Sequence, residues 1–414
     1  MRLLDKWGVG VFVFLFALSA GMGCSDDDGT GGDGDAGVVG DAATDGGSGD
    51  ALPSDGGEEL DAGQAECVPE TATFWVYDLS VMPPQYIEVA ATCRGAGANG
   101  LVFVADEIWE DSVSQASVDT VVEAFHNSTP SDPASGIFPL STSTFGEPTD
   151  VDENDRVFLL LLELPSYGGH EFDGYIRRED MLGGTNSNEA EILYLDAVRN
   201  DVSSEYMLGV IAHEFFHMIH LNHDTGEESW LDESLAEASM ILCGYFGDLS
   251  SWVPDYADNP NQTLVDNSPT FHYGAGFLFG GYLLERFGAD YLTALVEKTS
   301  RGVDSLEETW TDLGEGVTFR EVLGDWTAAN WLDEPTLEDG KYGYESFDPP
   351  IMSAVGPLSV GETASARILK PTGVMYYEFN LSGLSQDSTV TITLNTASYE
   401  DMEVRVISYS NGDP

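Results

Sequence analysis

The stretch Leu208–His223, LGVIAHEFFHMIHLNH, contains His213-Glu214-Phe215-Phe216-His217, and its reading decides how the rest of the chain is understood. Residues four apart lie one above the other on an α-helix, so His213 and His217 can present two imidazoles to one metal ion. Zinc accepts imidazole and carboxylate ligands, and with one position left open it polarises a carbonyl and lowers the pKa of a bound water to about 7. Glu214, on the adjacent face, is then placed as the general base, the arrangement for metal-assisted hydrolysis. Apolar residues run from Tyr206 to Ala212 and continue at Phe215, Phe216, Met218, Ile219 and Leu221, which predicts a largely buried helix. Two histidines and a glutamate on such a helix need partners, because each unpaired buried polar group costs roughly 1–3 kcal/mol. A zinc ion supplies them.

A third protein ligand has two candidates. His223 completes the spacing HExxHxxxxxH of metzincins, in which a glycine at the position of His220 lets the helix end and brings the third histidine round to the metal. The second candidate lies in Ser229–Glu237, SWLDESLAE. Ser229 followed by Asp232 reads as an N-terminal cap, with a new helix from Trp230 and with Glu233 and Glu237 on one face of it. One glutamate of such a pair, Glu233, can ligate the metal. The other, Glu237, can accept a hydrogen bond from the far nitrogen of a ligand histidine and fix its tautomer. The reading favours Glu233 and keeps His223 as the alternative.

HEFFHMIH followed by WLDESLAEAS resembles the gluzincin metallopeptidases, most closely the hyicolysin-like family. GYIRRED (174–180), SNEAEILYLD (187–196) and FHYGAGFLFGGYLLERFG (271–288) also match that layout, so the resemblance covers roughly residues 70–335. It implies a zinc endopeptidase with His213, His217 and Glu233 as ligands and Glu214 as base. Gluzincins commonly set a Tyr or His opposite the zinc to stabilise the oxyanion. That makes His272 and Tyr273 candidates, Tyr273 the one carried forward.

Arg2 and Lys6, the apolar run Val9–Leu18 and the small residues before Cys24 read as a secretory signal peptide over 1–24. Ala20–Cys24 is similar to a bacterial lipoprotein box with a lipidated cysteine. Residues 25–66 carry 13 acidic side chains, no Lys or Arg and almost no large apolar residue, the composition of a disordered tether. The whole chain has a formal net charge of -58, which makes nucleic acid and anionic membrane surfaces poor partners, since both need a basic face, and no nucleic-acid partner is expected. In the oxidising compartment that a leader implies, Cys67 and Cys93 are expected to pair, leaving Cys243 as a buried thiol. Calcium would suit so acidic an exported chain. The one carboxylate-rich loop, Asp150–Asp155, lacks the glycine and closing glutamate of an EF-hand and reads as a solvated turn.

The expected fold class is α+β: a zincin-type catalytic domain over residues 67–345, with an N-terminal mixed sheet, the metal helix and a C-terminal helical subdomain. Strands are predicted at Thr71–Tyr77, Gln85–Cys93, Leu101–Ala105 and Arg156–Leu164, the last a central one. Glu189–Asp196 reads as a half-buried edge strand able to add an extended peptide to the sheet. Helices are expected at Ser117–His126, Tyr273–Phe287, Ala289–Glu297, Leu306–Leu313 and Arg320–Trp331. Residues 350–414 show four alternating segments, at Ala364–Leu369, Val374–Leu381, Ser388–Leu394 and Met402–Ser408. They suggest a small, incomplete β-sandwich that binds carbohydrate or protein or stabilises the fold. The expected function is an envelope-anchored zinc endopeptidase acting on extracellular peptides or proteins. The competing expectation is a surface adhesin whose metal site is vestigial or structural.

Overall fold

A computed structural model describes Gly10–Ala17 and residues 66–409, except for 82, 84, 166–171, 268–271, 366, 382–383, 386–387 and 395–401. Cys24 and nearly all of the expected tether lie outside the described residues. In chain order the strands are β1 (Gly10–Ala17), β2 (Thr71–Asp78), β3 (Gln85–Ala96), β4 (Gly100–Ala105), β5 (Val157–Leu162), β6 (Gly174–Ile176), β7 (Ile192–Asp196), β8 (Ala354–Leu358), β9 (Val374–Asn380) and β10 (Met402–Tyr409). The helices are α1 (Gln115–His126), α2 (Ile137–Phe145), α3 (Arg178–Leu182), α4 (Glu205–His223), α5 (Ser229–Leu242), α6 (Trp252–Asp258), α7 (Tyr273–Phe287), α8 (Ala289–Val296), α9 (Val303–Leu313) and α10 (Phe319–Leu332). No helix among the described residues is long and apolar enough to cross a membrane.

The main sheet has the order β2-β3-β4-β5-β7-β6, with β4, β5 and β7 parallel and the outer pairs antiparallel. Every residue of β4, β5 and β7 is buried, as their continuous apolar runs require of strands covered on both faces. The fold is thus α+β, a mixed sheet followed by a helical region that includes the helix bearing His213 and His217. One expectation is overturned here. The Glu189–Asp196 segment is not the edge, because its strand, β7, lies between β5 and β6. The alternation of EAE stops at Ile192, and ILYLD is apolar enough to be buried throughout. The edge beside α4 is the three-residue β6, which pairs antiparallel with β7.

A buried polar network holds that edge. Arg177, directly after β6, donates to the Trp75 carbonyl of β2 at 2.6 Å and to the Asn186 carbonyl at 2.9 Å, with Asp180 at 3.5 Å. Tyr194 of β7 donates to Asp180 at 2.6 Å, and the two terminal nitrogens of Arg177, a residue only 1% exposed, are both hydrogen-bonded. Cys67 and Cys93 form a disulfide closing 26 residues, as expected. In the chain-entropy account a loop of that length is worth about 3.5 kcal/mol. Cys243 is a buried free thiol, and burial pushes it up to about 12.

Helix α4 starts at Ser204, whose hydroxyl accepts from the Met207 amide at 3.3 Å, and packs on β6, β7, α2 and α5. Helix α5 in turn packs on α7. That approach is so close that a Cβ at Gly280 would lie 2.0 Å from the Ser234 carbonyl oxygen, which leaves only glycine at this crossing.

At the C-terminus, β9 and β10 form as expected, whereas the Ala364–Leu369 and Ser388–Leu394 segments contain no strand among the described residues. Ile368 is 86% exposed, so the alternation there has no facing layer to bury it. The strands present form one four-stranded sheet, β10-β1-β9-β8, in place of two packed layers. It contacts the helical region directly: Tyr376 of β9 donates to the Thr327 carbonyl of α10 at 2.9 Å, and Arg405 of β10 pairs with Asp325. The apolar segment Gly10–Ala17 pairs as a strand between β9 and β10.

Candidate metal centre

Helices α4 and α5 face each other across the cluster that the sequence singled out. On α4, His213 Nε2 and His217 Nε2 lie 3.1 Å apart. From α5, Glu233 Oε2 lies 3.3 Å from the first and 3.7 Å from the second. Ligand atoms of a tetrahedral zinc with bonds of about 2.0–2.1 Å are separated by about 3.3 Å, so the three donors outline one face of such a site. The Glu233 oxygen facing them is buried and otherwise has no hydrogen-bond partner among the described residues, and N, N, O is a donor set that zinc accepts. The residues therefore fit a bound divalent metal.

A second ring of carboxylates stands behind the imidazoles. Glu237 Oε1 is 3.4 Å from His213 Nδ1, and Asp232 Oδ2 is 2.9 Å from His217 Nδ1. Asp232 Oδ1 also meets His220 Nδ1 at 2.6 Å, so one carboxylate joins two histidines three residues apart on α4. Outward-facing nitrogens held in this way leave the two Nε2 atoms to point at the metal position. Burial alone would push the His213 imidazole down, but Glu233 and Glu237 outweigh it and raise it to about 10. Burial would raise Glu233, yet the two histidines hold it down to about 2. The imidazoles and the carboxylates thus shift one another in opposite directions, as closely paired opposite charges do.

Glu214 is 8% exposed and lines the same cleft, of roughly 390 Å³, with Gly174, Tyr175, Ile176, Asp232 and Tyr273. Burial raises its carboxyl above the usual range, against the two histidines. It is packed directly under β6: a Cβ on Gly174 would come within 2.8 Å of Glu214 Cγ and 3.0 Å of its Oε1. Tyr273, the first residue of α7, has its ring 6.4 Å from that of His213 and lines both this cleft and a smaller adjoining one. Burial, then the neighbouring Glu233 and Glu237, push its phenol up, so it keeps its proton at neutral pH. His272 stacks edge-on to Tyr256 at 5.7 Å and lines neither cleft.

The two rival third ligands separate cleanly in space. Helix α4 continues through His220 to His223 without swinging aside, and His223 is exposed, packed where a Cβ on Gly146 would meet its Nε2 at 2.5 Å. It is not among the residues that converge with His213 and His217. The capping expectation for α5 is also corrected. Glu228 is the N-cap without a side-chain bond, Ser229 opens the helix, and the Asp232 carboxylate is taken by His217 and His220. Sequence reading missed Asp232 for this reason, although two histidines three apart on a buried helix signal that acceptors must come from elsewhere. It also missed Asp248, a buried residue whose carboxyl is raised by burial and then by Glu237, and which lines the smaller cleft.

The chain is 30% identical over 225 residues to the neutral metalloprotease ShpI of Staphylococcus hyicus, an alignment that covers 50% of this chain and 47% of that protein. The chain thus spans about half the length of the curated relative it matches. No protein-family model matches the sequence.

Asp232→Asn keeps the side chain's shape and removes the charge that orients His217. Zinc affinity, measured by competition with a chelator, is expected to fall about 10–100-fold with the fold retained. Unchanged affinity would reduce Asp232 to a packing role.

Proposed function

We propose that the protein is an exported zinc-dependent endopeptidase, with His213, His217 and Glu233 as the metal ligands and Glu214 as the general base. The convergence of His213 Nε2, His217 Nε2 and Glu233 Oε2 within 3.1–3.7 Å carries this reading, and the likeness to ShpI supports the reaction class. Zinc, when bound, lowers the pKa of water and polarises the scissile carbonyl.

The chain's own groups supply the remainder. Glu214, whose carboxyl burial raises above its ordinary value, takes the proton of the attacking water on a carboxylate oxygen and returns it to the leaving amine. Tyr273 keeps its phenol protonated and donates a hydrogen bond toward the developing oxyanion. Glu237 and Asp232 hold the ligand imidazoles in one tautomer and orientation. An extended substrate adds along β6, the edge strand that lines the cleft through Gly174, Tyr175 and Ile176. The leader-like N-terminus and the Cys67–Cys93 disulfide support action outside the cell, and the likeness to ShpI supports peptide or protein substrates.

Glu214→Gln is expected to leave zinc bound at one equivalent and to lower cleavage of an unfolded protein such as casein by at least about 1,000-fold. Wild-type proteolysis in that variant would end the assignment of Glu214. No zinc and no chelator-sensitive cleavage in the wild type would favour an adhesin instead.

Export predicts a second measurable property. Removal of the leader at Cys24 would take the Gly10–Ala17 strand out from between β9 and β10. The intact mass of protein made in a lipoprotein-processing host is expected to correspond to a lipidated chain starting at Cys24. A mass that retains Met1 would overturn the anchor and leave β1 in the sheet.

A further inference from the structure

Asp150, Asp152 and Glu191 form a second convergence of carboxylates, with one oxygen from each within 4.8 Å of the others. Asp150 and Asp152 stand exposed in the turn that leads into β5, while Glu191 immediately precedes β7. The sheet itself brings these segments together: β5 and β7 are parallel neighbours, and the Phe158 amide donates to the Glu191 carbonyl at 2.7 Å.

Glu191 is the unusual member. It is 1% exposed, and its Oε1 accepts from Thr149 Oγ1 at 2.7 Å and from the Val151 amide at 3.0 Å. Its Oε2 is buried and has no hydrogen-bond partner among the described residues. A buried carboxylate oxygen left unpaired is costly, and two more carboxylates beside it add like-charge repulsion. Burial, then the adjacent carboxylates, raise both Glu191 and Asp152. Among the described residues no Lys, Arg or His forms an ion pair with any of the three.

We propose that Asp150, Asp152 and Glu191 bind a calcium ion that clamps the 150–155 turn to the entry of β5 and β7. The donors are all oxygen, which selects a hard cation over zinc. Carboxylates that can bind through one or two oxygens, on a turn not built as a regular octahedron, suit calcium with its 6–8 ligands at about 2.3–2.6 Å better than magnesium. The sequence alone did not reveal the site because its buried ligand, Glu191, comes from a strand entry far from the turn, where an EF-hand would place a closing glutamate within the loop. The role is structural: the ion binds the folded state and so stabilises it by mass action.

The test uses the full chain, saturated with zinc and stripped with a calcium-selective chelator, with melting temperature followed during titration with calcium chloride. Asp152→Asn is the diagnostic variant, because Asp152 is exposed and its replacement leaves the buried contacts of Glu191 intact. Glu315→Gln, at an exposed turn elsewhere, removes the same charge as a control for diffuse binding to so acidic a chain. Calcium is expected to raise the melting temperature of the wild type and the control alike. Asp152→Asn should need about ten-fold or more calcium for the same rise, and magnesium should be weaker by a similar factor in the wild type. The proposal is overturned if Asp152→Asn responds like the control, or if calcium leaves the wild-type melting temperature unchanged. None of these readouts depends on proteolysis, so their failure would leave the zinc assignment untouched.

Discussion

The facing of two α4 histidines against three α5 carboxylates is the interaction on which the rest of the structure depends. His213 and His217 take Glu237 and Asp232 on their outer nitrogens and share Glu233 on their inner ones, so two largely apolar helices are locked in one register by five ionisable groups. Buried groups of this kind are tolerable only as a complete set, since removing one leaves its partner unpaired in a poorly solvated site. The two inner nitrogens and Glu233 form the group that could hold a metal ion. The packing that holds it follows: Ser239 of α5 donates to the Ala212 carbonyl of α4 at 2.7 Å, and α7 is drawn against α5 at Gly280.

The sheet contributes the other wall. Its buried centre meets α4 through β7, while the short edge strand β6 is pressed closely onto Glu214, where a Cβ on Gly174 would lie 2.8 Å from Glu214 Cγ. Arg177 then fixes β6 through the Trp75 carbonyl. Glu214, the candidate metal position and the edge strand β6 are therefore held by one continuous piece of core. Rigid elements of this kind hold catalytic geometry better than loops do.

Much of this was legible in the sequence where a local pattern carries the information. HEFFH at helical spacing, the apolar runs of β4 and β5, the long helix from Tyr273 and the pairing of Cys67 with Cys93 all depend on periodicity or on simple counting of cysteines. What escaped depends on tertiary neighbours. Asp232 looks like a helix-starting acid until His217 and His220 are seen opposite it. Glu189–Asp196 looks like a half-exposed strand because its first three residues alternate, although Glu191 is buried at a strand entry and β6 covers β7. His223 and Glu233 both have acceptable spacing for the same reason, and only the unbroken course of α4 keeps His223 out of the group that Glu233 forms with His213 and His217.

The measurement that bears most directly on this account is a crystal structure of the zinc-loaded protein with anomalous data across the zinc absorption edge. The account predicts one strong peak at about 2 Å from His213 Nε2, His217 Nε2 and a Glu233 oxygen, with Glu214 facing the open position. A peak completed by His223, or no peak between α4 and α5, would contradict it.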